Sequence, residues 1–220
     1  RALSITSIQW RSSFRATRDH HNSARAAYSL PRAKDETQLR HRRAMTHPTA
    51  HIEKVSRYSE QNGIDRLLVL GLMRQESYYR RAAESRVGAT GLMQVMPKTG
   101  SKIAYDLQET FIPDQLGEPD TNIRYGIWYL GKLLERFEGG WPLAVAAYNA
   151  GPMNVSSWYT RWEGQIEIDD FVEQIPFLET RDYVKKIGKH YAQYVEIYAP
   201  EDFVAIPKKP GHNKPGIVAY

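Results

Sequence analysis

The strongest constraint on this chain is an apolar helical run, residues 67–75, that ends in a carboxylate, Glu76. At about 100° of rotation per residue, Glu76 projects between Val69 and Leu72, so the pattern predicts that its side chain points toward the core. Burial and the negative end of the helix dipole both raise the pKa of a carboxyl group. An acid that stays protonated near neutral pH can donate a proton to a leaving group. A structural glutamate paired with an arginine is the alternative that this residue alone leaves open.

A polar loop with two glycines follows the glutamate, at residues 84–97, and loops of this kind line clefts. Gly88 and Gly91 permit positive φ angles or a close approach of the backbone. Ser85 offers a hydroxyl that can hold the carboxyl group of the glutamate, and Gln94 offers an amide suited to sugar hydroxyls. The loop therefore favours a catalytic over a structural glutamate.

Four sequence blocks occur in one order along the chain. They read RQES at residues 74–77, VGATGLMQVMP at 87–97, AAYNAGP at 146–152 and FVEQIPFLETRDYV at 171–184. Together they resemble the catalytic domain of the soluble lytic transglycosylases, and four blocks at consistent spacing are far more specific than one short motif. The likeness covers roughly residues 51–198. It implies a mainly α-helical, lysozyme-like domain with a substrate groove, preceded here by a short helical extension.

The resemblance also implies a reaction, which is cleavage of the β-1,4 bond between N-acetylmuramic acid and N-acetylglucosamine in peptidoglycan. Glu76 would first protonate the glycosidic oxygen and then, as carboxylate, take the proton of the muramic C6 hydroxyl while a 1,6-anhydro ring closes. The sequence agrees, because no motif fixes a second carboxylate across the bond. Ser85 and Tyr148 would orient the acid. The residues that the resemblance implies as lining the groove are Gln94, Met96, Asn149 and Glu179.

Several of these residues have plainer interpretations when each is taken alone. Tyr148 and Asn149 end a short apolar helix, where a buried tyrosine bonded to backbone and an ordinary helix cap are common. Glu179 suits the start of a helix, where the dipole favours a carboxylate. Met153 stands where the family usually has a glycine. A last group of aromatic side chains would either stack on sugar rings or pack locally, namely Trp158, Tyr159 and Trp162.

The composition excludes several classes of site. The 220 residues include no cysteine, so a disulfide framework, a thiolate metal site and a thiol nucleophile are all impossible. His41, His47 and His51 are irregularly spaced around Pro48 without a carboxylate at a matching interval, so we expect no metal, and no cofactor is expected either. The sequence contains no apolar run long enough to span a bilayer.

The net charge of +5 is concentrated near the start of the chain, where residues 1–57 hold 12 Lys and Arg against 4 Asp and Glu. This stretch lacks the interleaved aromatics of a nucleic-acid module, so we expect a solvated helical face and no nucleic-acid partner. Weak association with an anionic wall or membrane surface is compatible with the charge. The segment is also interpreted as the continuation of a preceding helical domain or as a contact for an envelope-assembly partner.

The sequence divides into a basic, partly helical extension at residues 1–46, a catalytic domain at 47–199 and a proline-rich extended tail at 200–220. Within the domain we expect one helix from Ile52 to Gly63 and a long final helix over residues 180–198. The other predicted helix signals are Asp65 opening the helix of Glu76, Pro97 in a first turn, Asp120 or Thr121 capping a long helix, and Gly139 and Gly140 ending it.

The sequence therefore predicts a peptidoglycan lytic transglycosylase acting in the periplasm or cell envelope of a bacterium, with peptidoglycan glycan strands as its partner. Two alternatives stay open. One is a goose-type-lysozyme-like hydrolase, which would deliver water in place of the C6 hydroxyl. The other is a catalytically inactive peptidoglycan-binding module of an envelope assembly.

Overall fold

The computed structural model describes residues 33–162 and 166–200, and this part of the chain is built from helices. Its β structure consists of two isolated antiparallel bridges, Glu84 with Thr90 and Thr90 with Val95. The mainly α-helical class predicted from the sequence is therefore confirmed. The helices of the described residues are α1 Glu36–Thr46, α2 Ile52–Asn62, α3 Arg66–Ser77, α4 Pro97–Asp106, α5 Pro119–Arg136, α6 Trp141–Ala150, α7 Pro152–Thr160, α8 Ile168–Glu173 and α9 Leu178–Tyr198, with a 3₁₀ turn at Pro113–Gly117 between α4 and α5.

Three predicted helix signals act as expected at the ends of these helices. Gly63 ends α2 in the left-handed conformation, with φ of 63°, which glycine adopts without steric strain. Asp65 opens α3, where its side chain accepts a hydrogen bond of 2.8 Å from the backbone N–H of Leu67. Pro97 lies in the first turn of α4, where its missing N–H has no helical partner to lose.

The start of α5 differs from the prediction that Asp120 or Thr121 would cap it. The helix already begins at Pro119 without a side-chain cap. Asp120 instead accepts hydrogen bonds from the ammonium group of Lys54 at 2.6 Å and from the hydroxyl of Tyr58 at 2.8 Å. Its carboxylate therefore joins α5 to α2, a long-range role that a local capping pattern does not reveal.

The ends of the two longest helices also shift relative to expectation. Helix α5 ends at Arg136, three residues before Gly139, which takes a left-handed φ of 80° in the following turn. Helix α9 begins at Leu178, two residues earlier than predicted. The periodicity of residues 180–198 predicts an apolar core stripe at Val184, Ile187, Tyr191, Val195 and Tyr198. The first four are buried, which confirms them as core, whereas Tyr198 at the end of the helix is 37% exposed.

Helix α3 lies at the centre of the core, packed against α9 on one side and α2 on another. Leu68, Val69 and Leu72 of α3 are buried. Gly71 marks the close approach of α3 to α9, because a Cβ atom there would lie 3.3 Å from the backbone nitrogen of Tyr191. Helix α6 packs against α5, α7 and α9 and contributes its buried residues 141–147 to the core.

The first described helix, α1, packs on α9 rather than standing apart from the domain. Arg43 forms an ion pair with Glu196, and Nε2 of His47 lies 3.2 Å from Nδ1 of His190. Burial lowers the pKa of His47 to about 3 and that of His190 to about 4, so both rings are neutral at ordinary pH.

Parts of the sequence-based predictions fall outside the described residues. These parts are the helical pieces expected before residue 33 and the extended tail expected after residue 200, so the domain limits at 46 and 200 stay predictions. Between residues 33 and 200, excepting 163–165, no helix is long and apolar enough to cross a membrane, and no group of three or more His, Asp or Glu side chains could hold a metal ion.

Candidate active site

Glu76 lies in the last turn of α3, which ends at Ser77. The chain then leaves the helix through two successive residues with positive φ, Tyr78 at 52° and Tyr79 at 63°. Such angles are uncommon for side chains of this size. The hydroxyl of Tyr79 pairs with that of Tyr194 on α9, which also donates to the carbonyl of Pro48 at 2.9 Å. Buried tyrosine contacts thus hold the turn that follows the glutamate.

The Glu76 carboxyl group is partly buried, and this burial raises its pKa to about 7. The hydroxyl of Tyr183 on α9 donates a hydrogen bond to Oε1 of Glu76, which opposes the rise in pKa by favouring the carboxylate. No carboxylate or arginine of the described residues contributes to this shift. The arginine-paired alternative is therefore not the arrangement in this structure, and the group can carry or release a proton near neutral pH.

The loop after Glu76 is held by side chains from three helices. Ser77 donates from its hydroxyl to the carbonyl of Leu92 at 2.8 Å. Oδ1 of Asn122, on α5, accepts from the backbone N–H of Met93 at 2.7 Å, and the hydroxyl of Tyr148, on α6, donates to the carbonyl of Met93 at 2.8 Å. Both backbone groups of Met93 are thus bound by side chains of different helices, so the loop has a defined geometry beside the acid.

Asn122 is a site residue that the sequence did not single out. It is fully buried, and its amide also donates to the carbonyls of Thr90 and Leu116, at 2.8 Å each. Gly91 is required opposite it, because φ is 82° there and a Cβ atom would lie 2.4 Å from Nδ2 of Asn122. Gly88 has φ of 86°, so both glycines adopt the positive angles that the sequence permits.

Ser85 and Gln94 are bound within the loop itself. Oγ of Ser85 accepts from the backbone N–H of Ala89 at 2.9 Å and, within the described part of the chain, forms no hydrogen bond with Glu76. The amide nitrogen of Gln94 donates to the carbonyls of Ala83 at 3.1 Å and Gly91 at 2.9 Å. The amide oxygen of Gln94 is the atom that this arrangement leaves for a ligand hydroxyl.

Burial and the negative charge of Glu76 together raise the pKa of the Tyr148 phenol well above its usual value. The effect of the charge indicates that the two side chains lie close together. The hydrogen bond of Tyr148 goes to the loop carbonyl rather than to Glu76, and its ring lies 5.3 Å from that of Tyr129. Asn149, the next residue, is exposed, and its Oδ1 accepts from the hydroxyl of Thr180 at 2.6 Å. This contact joins the end of α6 to the first turn of α9.

The remaining predicted groove residues are exposed at helix starts. Met96 directly precedes α4 and is 36% exposed, and Glu179 lies in the first turn of α9. Met153 is exposed at the start of α7, so the side chain found where the family has a glycine projects outward.

The three predicted aromatic platforms do not share one environment. Trp158 and Tyr159 are buried, at 7% and 3% exposure, as the local-packing alternative describes. Trp162 is exposed. The aromatic ring that lies exposed against Trp158 is that of Phe177, the residue before α9, which the sequence did not single out.

Comparison with known proteins agrees with this geometry. The family described as the Transglycosylase SLT domain matches residues 53–170. The soluble lytic murein transglycosylase of Salmonella typhimurium is 39% identical over 149 residues, which are 67% of this chain and 23% of that protein. The protein of the same name from Escherichia coli K12 is 38% identical, also over 149 residues that make up 67% of this chain and 23% of that protein. The chain therefore spans about a quarter of the length of these relatives.

Solved structures share the fold. The 70 kDa soluble lytic transglycosylase of Escherichia coli superposes with a TM-score of 0.73 at 32% identity, over 82% of this chain and 28% of that one. An inactive glutamate-to-glutamine variant of the lytic transglycosylase Slt of Pseudomonas aeruginosa superposes with a TM-score of 0.71 at 31% identity, over 92% of this chain and 34% of that one. A 70 kDa soluble lytic transglycosylase in complex with bulgecin A superposes with a TM-score of 0.78 at 28% identity, over 94% of this chain and 32% of that one. With the family match over more than half of its residues, this chain belongs to the transglycosylase SLT domain family, whose lysozyme-like helical fold it shares.

Proposed function

We propose that this chain is the catalytic domain of a lytic transglycosylase that cleaves the β-1,4 bond between N-acetylmuramic acid and N-acetylglucosamine in peptidoglycan. The observation that carries the proposal is the state of Glu76, whose pKa burial raises to about 7 at the end of α3. A carboxyl group in this range is both a proton donor and, once it has reacted, a proton acceptor.

In the first step Glu76 gives its proton to the glycosidic oxygen while the bond from that oxygen to the muramic C1 breaks. The resulting carboxylate keeps the hydrogen bond from Tyr183, which stabilises the charged form. In the second step the muramic C6 hydroxyl oxygen bonds to C1, and its proton returns to Glu76. No water is consumed, and the product ends in a 1,6-anhydro ring.

One acid is sufficient for this sequence of steps. A retaining glycosidase would hold a second carboxylate about 5 Å from the first, and an inverting one about 6.5 to 9.5 Å away. In the structure the hydrogen-bond partner of the Glu76 carboxyl group is a tyrosine hydroxyl, that of Tyr183, and not a second carboxyl group. The intramolecular C6 hydroxyl replaces the nucleophile that such a carboxylate would otherwise supply or activate.

The relatives support the assignment by their names, which are those of lytic murein transglycosylases, soluble in Salmonella and membrane-bound in Edwardsiella ictaluri. A glutamate-to-glutamine change accompanies loss of activity in the Pseudomonas enzyme, as expected of a proton-donating glutamate. By the same reasoning we infer that the protein acts at the cell wall, in the periplasm.

The other site residues receive roles that remain part of this proposal. Tyr148 keeps the loop, and through it the acid, in the reacting geometry, since it binds the carbonyl of Met93. For Ser85 we propose the role that the family resemblance implies, which is to orient Glu76. The groove is lined by Gln94, Met96, Asn149 and Glu179.

Mass spectrometry of the products from purified sacculi tests the proposal. A lytic transglycosylase releases muropeptides that end in the anhydro sugar, lighter by one water than hydrolysed ends. Hydrolysed ends from the purified chain would identify a lysozyme-like hydrolase instead. Binding to sacculi without any released product would identify an inactive wall-binding module.

A further inference from the structure

Two residues of α9, with the residue that precedes the helix, form a row that leads from the acid toward the surface. Tyr183 donates to Glu76, Thr180 donates to Asn149, and Phe177 precedes the helix by one residue. Positions three apart on a helix are neighbours on its surface. Five residues at 1.5 Å of rise place Leu178, the first residue of α9 and the neighbour of Phe177, about 7.5 Å from Tyr183 along the helix axis. The strip therefore begins at the reacting carboxyl group and ends in an aromatic ring.

Phe177 is exposed over 50% of its surface, although it contacts a buried tryptophan. The rings of Phe177 and Trp158 have centroids 5.0 Å apart and planes at 76°, an edge-to-face arrangement. Trp158 itself is 7% exposed and thus anchored in the core. Such a contact fixes the orientation of the phenylalanine ring while leaving much of its surface open to solvent.

The sequence of groups along the strip matches the chemistry of a carbohydrate. An exposed aromatic ring offers dispersion contact to the C–H face of a pyranose, whereas the Asn149 amide and the Glu179 carboxylate between it and the acid suit ring hydroxyls. Leu178, beside the ring, is 67% exposed and extends the apolar surface. An apolar ligand would displace water from both polar groups without replacing its hydrogen bonds, and a polar peptide would gain little from the ring.

We propose that Phe177, braced by Trp158, is a stacking platform for a sugar ring of the glycan strand, away from the bond that Glu76 cleaves. The inference rests on the proposed function for the identity of the glycan. Because the platform acts at a distance from the reacting atoms, it contributes to substrate binding and to the register of the strand in the groove. It is a positioning residue and takes no part in proton transfer.

Glycan turnover by variants at position 177 tests the platform. We expect Phe177→Ala to raise KM about three- to tenfold, the range of one aromatic contact, with kcat within about twofold of the unaltered chain. Phe177→Trp should retain the low KM, whereas Phe177→Leu, which keeps an apolar side chain without a ring, should behave like the alanine variant. Tyr105→Ala is the matched control, since Tyr105 is 76% exposed on α4, outside the strip.

A binding measurement separates this inference from the proposed function. In chains carrying Glu76→Gln, calorimetry with a defined murein glycan oligomer should show the same loss of affinity for Phe177→Ala, whatever products the active chain releases. Hydrolysed ends would overturn the proposed reaction while this loss of affinity still supports the platform. Unchanged KM and affinity in Phe177→Ala, or a Phe177→Leu variant equal to the unaltered chain, would overturn the platform. Thermal melting confirms that each variant is folded, and a fall in kcat at constant KM would also overturn it.

Discussion

The hydroxyl of Tyr183 donates a hydrogen bond to the carboxyl group of Glu76 across 107 positions of sequence, and so joins the middle of the domain to its last helix. Two opposing effects set the pKa of this acid. Burial raises the pKa, and the Tyr183 hydrogen bond lowers it, with a net value of about 7. Each effect can be tested with a single substitution.

Glu76→Gln should abolish turnover while the domain remains folded and equally or more stable at pH 8. The folded pKa of about 7 lies above the reference of 4.5, so between these values the folded state holds a proton that the unfolded state has released. The stability of the native chain therefore falls as pH rises through that window, by at most about 3.5 kcal/mol at about 1.4 kcal/mol per pKa unit. Glutamine does not titrate.

Thermal midpoints of both chains from pH 4 to 8, measured beside sacculus turnover, check this prediction. The two chains should melt alike near pH 4 and diverge above it. Glu53→Gln, a change at an exposed position of α2, serves as the control. Residual lytic activity in Glu76→Gln would refute the catalytic role, and lower stability at pH 8 would indicate an ionised, paired glutamate.

Tyr183→Phe should move the alkaline limb of the pH–rate profile to higher pH, because removing a donor to the carboxylate raises the pKa of Glu76. The profile is measured with soluble glycan fragments. Tyr191→Phe is the matched control on the same helix, since Tyr191 donates to Asp65 at 2.5 Å, away from the acid. A limb that stays in place in Tyr183→Phe, or shifts equally in Tyr191→Phe, would contradict the assignment.

Tyr148→Phe keeps the ring and removes the hydrogen bond to the carbonyl of Met93. We expect a loss of stability of about 0.5 to 1.5 kcal/mol. If the loop then shifts relative to the acid, turnover should fall by up to about a hundredfold. Denaturant unfolding and steady-state kinetics measure the two effects. Unchanged turnover would return Tyr148 to a packing role.

Asn122→Ala should destabilise the domain by about 2 to 4 kcal/mol, because it removes three hydrogen bonds and leaves buried backbone groups without partners. Asn154→Ala provides the comparison, since Asn154 is exposed and donates to the carbonyl of Ala150. The free energy of unfolding is measured by denaturant titration. Equal effects in the two variants would show that Asn122 is not what holds the loop.

The sequence predicted the features that depend on local chemistry and on the family pattern. The caps at Gly63 and Asp65, the glycine conformations and the helical stripe of α9 all follow from neighbouring residues. Resemblance supplied the groove residues. Tyr183 lay within the fourth sequence block, so the block itself was the signal, but only the packing of α9 on α3 reveals its partner.

Long-range polar contacts were the part that could not be predicted. Asn122 occupies the first turn of an amphipathic helix, where an asparagine ordinarily faces solvent, and nothing nearby indicates the loop that it binds. The capping role predicted for Asp120 was wrong for the same reason, because its carboxylate binds three side chains of α2. Pairings of this kind depend on which helices meet, and that is decided by the whole core.

Because burial raises the pKa of Glu76, this pKa changes when another molecule covers the carboxyl group. A glycan strand that displaces water from around Glu76 deepens the burial that already raises its pKa, so an occupied groove holds the proton more firmly than an empty one. Once the proton has left, the same dry surroundings favour its return, because the carboxylate is poorly solvated there. In the proposed reaction the substrate would therefore take part in setting the pKa of the acid that cleaves it, and the two proton transfers would be matched without a second ionisable group.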